Sequence, residues 1–321
     1  MATIQFAGRA LPVEPGESVL DCLLRNGESV SYSCKSGVCQ SCLVKGTGAI
    51  PERAQSGLKD TLRAQGYFLA CSCHPAEDLV VSIPGNDQRV PALITGLDKL
   101  SETVLRVRLR PPAGLDYRAG QYVSLFRQDG LARSYSLASL PVDGDLELHV
   151  RKIPGGAMSQ WLHEQATVGT TVWLQGPSGT CFYTNGKPEQ PLLLAGTGTG
   201  LAPLFGIVRD ALACGHRGPI WLFHGAVQAA GLYLSQELRR LGERFSNFRY
   251  VPSVLEGAAP EGGRSGTLEA CVLSAFPNLE GWRGYVCGDP AFVNSLRKKI
   301  FLAGIASKEI YADAFVPSAA R

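Results

Sequence analysis

The spacing of apolar residues changes character twice along the chain. In the first part they fall in short, interrupted groups. "TIQFAGRALPVEPG" reads as a hairpin, "SVLDCLLRNG" as a helix with an apolar stripe, and "DLVVSIPG" as a closing strand, with a second short helix near Leu58. This predicts a small α+β unit. After the Gly- and Pro-containing stretch "PGNDQRVP" the period becomes two: in "TVLRVRLRP", Leu105, Val107 and Leu109 alternate with Arg106, Arg108 and Arg110. Such alternation marks a half-buried strand, and the arginine face is expected to be solvated. "GQYVSLF", "RSYSLAS", "LELHVRK" and "TVWLQGPSG" follow closely, which predicts a small antiparallel barrel. From "PLLLAG" onward, apolar strands such as "IWLFHGA", "FRYVPS" and "GYVCGDP" alternate with helical segments such as "LAPLFGIVRDALACG" and "AFVNSLRKKIFLAG". That order predicts a parallel sheet covered by helices. The expected domains are residues 1–88, 89–188 and 189–321.

Composition narrows the class. The chain has 321 residues, 45% of them hydrophobic, which is ample for packed cores. Its formal net charge of +3 is spread along the chain without a lysine or arginine block, giving no electrostatic case for nucleic acid. No apolar run approaches the roughly 20 residues needed to span a bilayer, and "MATIQFAGRALPVEPG" lacks a basic-then-apolar leader. A soluble, cytoplasmic, monomeric protein is expected. In a reducing compartment its 10 cysteines serve better as ligands, reactive groups or small core residues than as disulfides.

Three of those cysteines stand in "YSCKSGVCQSC". Cys34, Cys39 and Cys42 are spaced C-x4-C-x2-C, and the next cysteine able to complete a set of four lies in "YFLACSCHP". This spacing is that of plant-type [2Fe–2S] ligation, whereas structural zinc more often uses two close pairs. Ser36, Gly37 and Ser41 leave the loop small enough for backbone amides to approach cluster sulfurs. The first 86 or so residues resemble a plant-type ferredoxin domain with its β-grasp fold. Both Cys71 and Cys73 stand in "ACSC"; the resemblance implies Cys71 as the fourth ligand. Cys22, within the helical stripe, reads as core.

In "RSYS", Arg133 and Tyr135 project to one face of a strand and Ser136 to the other. An arginine fork suits a pyrophosphate, and an adjacent aromatic suits a ring. "RKIPGGAMSQWL" then places Gly155 and Gly156 before Met158 and Ser159 at a helix start, where free amides suit phosphate. In this order the two motifs resemble the FAD domain of the ferredoxin:NADP reductase family. The resemblance implies Arg133 on the pyrophosphate, Tyr135 against the flavin and ribityl chain, and Ser136 near flavin N5. It places Gly156, Ala157, Met158 and Ser159 at the phosphates. His149, on the preceding strand, reads as structural.

"LLLAGTGTGLAP" runs from a buried strand through Gly196, Thr197, Gly198 and Gly200 into a helix. Its third glycine comes one position early for G-x-G-x-x-G, yet the turn still lets a pyrophosphate approach the backbone at a helix N-terminus. It resembles the glycine-threonine-glycine-x-glycine turn of the same reductases. "YVCGDP" sets Cys287, Gly288, Asp289 and Pro290 at a strand-to-helix junction, and the resemblance puts Cys287 beside the nicotinamide. "FHGAVQAAGLY" offers neither cations for a 2′-phosphate nor an acid for ribose hydroxyls, which favours NADH over NADPH. Phe315, in "YADAFVPSAAR", stands where related reductases bring an aromatic to the flavin.

A nicotinamide gives two electrons as hydride, a [2Fe–2S] centre takes one at a time, and a flavin does both. The order of motifs therefore implies a path from NADH to FAD to the cluster. The whole chain is similar to the reductase components of multicomponent oxygenases, such as benzoate dioxygenase reductase. It carries no Rieske pattern and no paired Glu-x-x-His motifs, so a separate terminal oxygenase is the expected partner. Two other readings fit the motifs: a reductase for a deoxysugar dehydratase, and a redox sensor with little turnover.

Overall fold

A computed structural model describes residues 2–28, 30, 32, 35, 37, 42–83, 89–111 and 113–315. The chain divides into two units, Met1–Gln88 and Arg89–Arg321. In the first, β1 (Thr3–Phe6) and β2 (Arg9–Pro12) form the predicted hairpin, followed by α1 (Val19–Arg25). Ser18 starts this helix by accepting the Asp21 N–H, and Val19, Leu20, Cys22 and Leu23 are its buried face. After the cysteine loop come β3 (Leu43–Gly48), α2 (Asp60–Ala64), β4 (Tyr67–Leu69) and β5 (Leu79–Ser82). The sheet order is β2-β1-β5-β3-β4, with β1 and β5 parallel, so this is a mixed ferredoxin sheet. Its core draws only on residues of this unit.

The second unit begins with β6 (Val90–Lys99), β7 (Val104–Arg110), β8 (Tyr122–Phe126), β9 (Ala132–Ser136), β10 (Leu146–Arg151), α3 (Ala157–Glu164) and β11 (Thr171–Ser178). These strands pair antiparallel in the order β10-β7-β6-β11-β8-β9. A bridge between Leu137 and Leu148 brings the two ends of the sheet together. The arginines of β7 lie on the outward face, as their alternation predicted, Arg110 the most exposed and Arg106 the least, and each has a carboxylate nearby. Arg106 pairs with Glu147 at 3.1 Å, Arg108 with Asp98 at 2.7 Å and Arg110 with Asp145 at 3.7 Å.

The remaining elements are β12 (Leu192–Thr197), α4 (Leu201–Ala213), β13 (Ile220–Ala226), α5 (Ser235–Arg244), β14 (Phe248–Val254), β15 (Arg264–Ser265), α6 (Leu268–Ala275), β16 (Arg283–Gly288), α7 (Pro290–Leu302) and β17 (Ile310–Ala314). They build a parallel sheet in the order β15-β14-β13-β12-β16-β17. The strand order reverses between β12 and β16, the switch point at which such sheets bind ligands. Of the three cores in this unit, one lies in the barrel part, one in the nucleotide part, and the third joins Ala138, Cys181 and Tyr183 of the barrel part to Leu204, Phe205 and Cys287 of the nucleotide part. Among the described residues no helix is long and apolar enough to cross a membrane.

Candidate active site

Of the four predicted cluster ligands, Cys34 and Cys39 lie outside the described residues. Cys42 is buried, and its thiol lies within hydrogen-bonding reach of Cys71. The Cys42 carbonyl also accepts the Ala70 N–H at 3.0 Å, tying the two loops together. Ala70–Ser72 is a 3-10 turn rather than extended chain, so Cys71 and Cys73 do not point the same way. Cys73 enters the core, where burial alone pushes its thiol up to about 12. Gly37 has φ +78°, and a Cβ there would fall 2.6 Å from Ser72 Oγ. Converging thiols beneath a turn that only glycine fits are the right donor set for a thiolate-held cluster.

On β9, Arg133 and Tyr135 are half-buried and Ser136 is buried. The Arg133 guanidinium donates to the Ala132 carbonyl at 2.6 Å and has no carboxylate partner among the described residues. Such an unpaired fork leaves its remaining donors for an anion. At α3, the Ser159 hydroxyl donates to the Gly156 carbonyl at 3.1 Å and accepts the Ile153 N–H at 3.1 Å. It closes the turn, so the helix offers its first amides, not this hydroxyl, to a phosphate. Met158 is buried and Ala157 exposed.

The nucleotide turn is built by close contact. A Cβ on Gly200 would fall 2.3 Å from the Cys287 carbonyl, and one on Gly288 would fall 2.6 Å from Thr197 Oγ1. Glycine at these positions lets the two loops press together at the switch point. Thr197 Oγ1 accepts the Asp289 N–H at 3.2 Å. The Asp289 carboxylate caps α7, accepting Ala291 N–H at 2.9 Å and Phe292 N–H at 3.2 Å. Cys287 is fully buried, 3.7 Å from the sulfur of Cys181. Burial, the Cys181 thiol and the charge of Asp313 all push its thiol well up, so it is neutral. Phe315 follows β17 and donates its N–H to the Gly288 carbonyl at 2.8 Å.

Comparison with known proteins decides the family. Residues 2–76 match a 2Fe-2S iron-sulfur cluster binding domain, 94–183 an oxidoreductase FAD-binding domain and 194–298 an oxidoreductase NAD-binding domain. The ferredoxin–NAD(P)+ reductase component of a Ralstonia naphthalene 1,2-dioxygenase/salicylate 5-hydroxylase system is 36% identical over 96% of each chain. The chain belongs to this family of iron–sulfur flavoprotein reductases. The phenol 2-monooxygenase reductase component of a Pseudomonas species is 31% identical, covering 99% of the chain and 94% of the relative. Among solved structures, an Amycolatopsis cytochrome P450 reductase superposes with a TM-score of 0.69 at 30% identity, over 99% of each chain. The protein is thus an oxidoreductase of the ferredoxin–NAD(P)+ reductase type, with 2Fe-2S, FAD and NAD(P) domains.

The geometry of this reductase adds residues that the sequence did not single out. Ser136 Oγ donates to Asp313 Oδ2 at 2.7 Å, across the contact between the barrel and β17. Burial raises the Asp313 pKa, an effect only partly offset by that hydrogen bond. Asp313 lies in register with Cys287, which lies in register with Gly196, so the three stand abreast at the strand ends. Arg151, the last residue of β10, brings its guanidinium within 4.0 Å of the Cβ position of Gly198 and has no ion-pair partner among the described residues. Beyond β14, Glu256 bonds its N–H to the Val227 carbonyl at 2.8 Å and accepts Gln228 Nε2 at 3.3 Å.

Proposed function

We propose that this reductase takes hydride specifically from NADH and passes single electrons to a separate terminal oxygenase. The observation that carries the coenzyme choice is Glu256, held by Gln228 where the second and third strands of the nucleotide sheet end. An acid near the end of these strands can bond ribose hydroxyls and repel a 2′-phosphate. Residues 226–234 and 255–263 contain no lysine or arginine; Arg239 of α5 reaches the second segment but spends a donor on the Glu261 carbonyl at 3.0 Å. The oxygenase follows from the relatives, whose names include dioxygenase and monooxygenase systems. The Amycolatopsis match, named a cytochrome P450 reductase, adds a haem oxygenase as a further acceptor class.

When bound, FAD supplies the exchange between a two-electron donor and a one-electron cluster. In this reading the chain does the rest by position. Cys34, Cys39, Cys42 and Cys71 hold the cluster. Arg133 and the first amides of α3, from Gly156 to Ser159, hold the FAD phosphates, and Tyr135 lines the flavin. Gly196, Thr197, Gly198 and Gly200, with Arg151 opposite, hold the dinucleotide phosphates. Cys287, Gly288 and Asp289 wall the nicotinamide, and Phe315 covers the flavin from the chain's far end. Ser136 orients toward the reacting ring, and the Asp313 carboxyl beside it can hold a proton. The test is an anaerobic stopped-flow record of the holoprotein mixed with NADH or NADPH. Flavin bleaching by NADH, followed by cluster bleaching, is expected. Faster bleaching by NADPH would overturn the coenzyme choice.

A further inference from the structure

Two histidines outside the proposed electron path are sealed between the barrel and the nucleotide sheet: His149 on β10 and His224 on β13. His224 Nε2 lies 3.2 Å from the Gly198 carbonyl. A carbonyl only accepts, so Nε2 carries the proton and Nδ1 is an acceptor. That acceptor faces the Tyr250 hydroxyl at 3.4 Å, and Ser235 Oγ lies 3.2 Å from the same hydroxyl. His149 repeats the pattern in the barrel. Its Nε2 donates to Glu147 at 2.8 Å, and its Nδ1 accepts the Tyr233 hydroxyl at 3.0 Å. The Tyr233 ring meets both imidazoles edge-on, with centroids 5.3 Å from His149 and 5.5 Å from His224. Each imidazole is therefore held in one tautomer, and one tyrosine touches both.

Gly198 is the turn residue with φ +55°, and its carbonyl also accepts the Leu201 N–H. With both lone pairs engaged, the orientation of the Gly198–Thr199 peptide plane is fixed. In a trans peptide the N–H opposes the carbonyl, so the Thr199 N–H points away from His224. The turn lies abreast of His224, since Gly196 and His224 are in register. His149 precedes Arg151 by two residues on β10, so the Tyr233 contact also ties the nucleotide sheet to the strand that carries this guanidinium.

We propose that His224 is a positioning residue for the nicotinamide dinucleotide: it aims the Thr199 N–H at the pyrophosphate, while Tyr233 and His149 keep that amide in register with Arg151. The inference rests on the assignment of the 196–200 turn to the dinucleotide phosphates. Replacement by a residue without a donor at the Nε2 position leaves the Gly198 carbonyl bond unmade and that peptide plane free to turn.

The test is steady-state NADH:ferricyanide kinetics on the full-length holoprotein. His224→Asn, too short to reach Gly198, should raise KM for NADH about tenfold, with kcat within about twofold and FAD retained. His224→Gln, whose amide reaches as far as Nε2, should recover most of that loss. An unchanged KM in the Asn variant, an equal rise in both, or a fall in kcat alone overturns the proposal. If the Asn variant does not fold, Tyr233→Phe removes one hydroxyl and should raise the same KM about threefold; no change there also overturns it. Gly198→Val separates the two readings. If it leaves KM unchanged, the turn does not hold the dinucleotide. If it raises KM while His224→Asn does not, only the role of His224 fails.

Discussion

Asp313 and Ser136 are 177 residues apart in sequence and 2.7 Å apart in space. The folded carboxyl binds its proton more tightly than the unfolded chain does at about 3.8. Its contribution to stability is therefore full below that value and is lost as pH rises through the raised folded value. Asp313→Asn cannot charge, so the variant should melt above wild type at pH 8, with the gap closing as pH falls through the raised folded value to pH 4. The same variant should reduce its flavin with NADH at least about tenfold more slowly. Thermal melts at both pH values and stopped-flow traces check this, and a gap independent of pH would rule out the buried charge. At Glu256 the expected change is in selectivity. If the proposed coenzyme site is right, Glu256→Gln should raise the NADPH-to-NADH ratio of kcat/KM about tenfold by removing the acid's repulsion of a 2′-phosphate. An unchanged ratio in a protein that prefers NADH would remove Glu256 from the specificity site.

Elements with a clear period were legible in advance. The strands β7 to β14 and the helices α4 and α7 follow alternations or stripes that a reader of the sequence can count. β17 was not, because "IYADA" mixes a buried apolar pair with a carboxylate and alanines, and its role depends on register with β16. The choice between Cys71 and Cys73 depended on a 3-10 turn that no local spacing announces. "FHGA" carries no local signal for His224, because its imidazole is neutral and its hydrogen bond goes to a turn 26 residues away. Burial brings the His224 pKa down to about 4 from 6.5. A base held neutral contributes stability fully above 6.5 and loses it as pH falls toward the folded value. Relative to His224→Gln, wild type should lose about 2 kcal/mol between pH 7.5 and 5. Urea titrations followed by flavin fluorescence measure this difference, and parallel curves would show that the imidazole does not titrate on unfolding.

Across the whole molecule the two units differ in how they are made. The first draws its core from its own residues alone, while the barrel and nucleotide parts each have a core and are joined by a further one. Loss of the cluster should therefore leave the flavin chemistry intact. Cys42→Ser is expected to abolish the iron–sulfur absorption and cytochrome c reduction while FAD content and NADH:ferricyanide activity stay within about twofold of wild type, since a small acceptor takes electrons at the flavin. Loss of FAD along with the cluster would show that the units are not independent. The β7 arginines set a different boundary. Each lies against a carboxylate, two of them on the flanking strands β6 and β10. Charges zipped in this way form local dipoles whose field fades much faster with distance than that of a bare cation. This side of the barrel is therefore electrically quiet from afar. An approaching acceptor protein gains little guidance from it, and the ionic-strength dependence of electron delivery should have its origin on other surfaces.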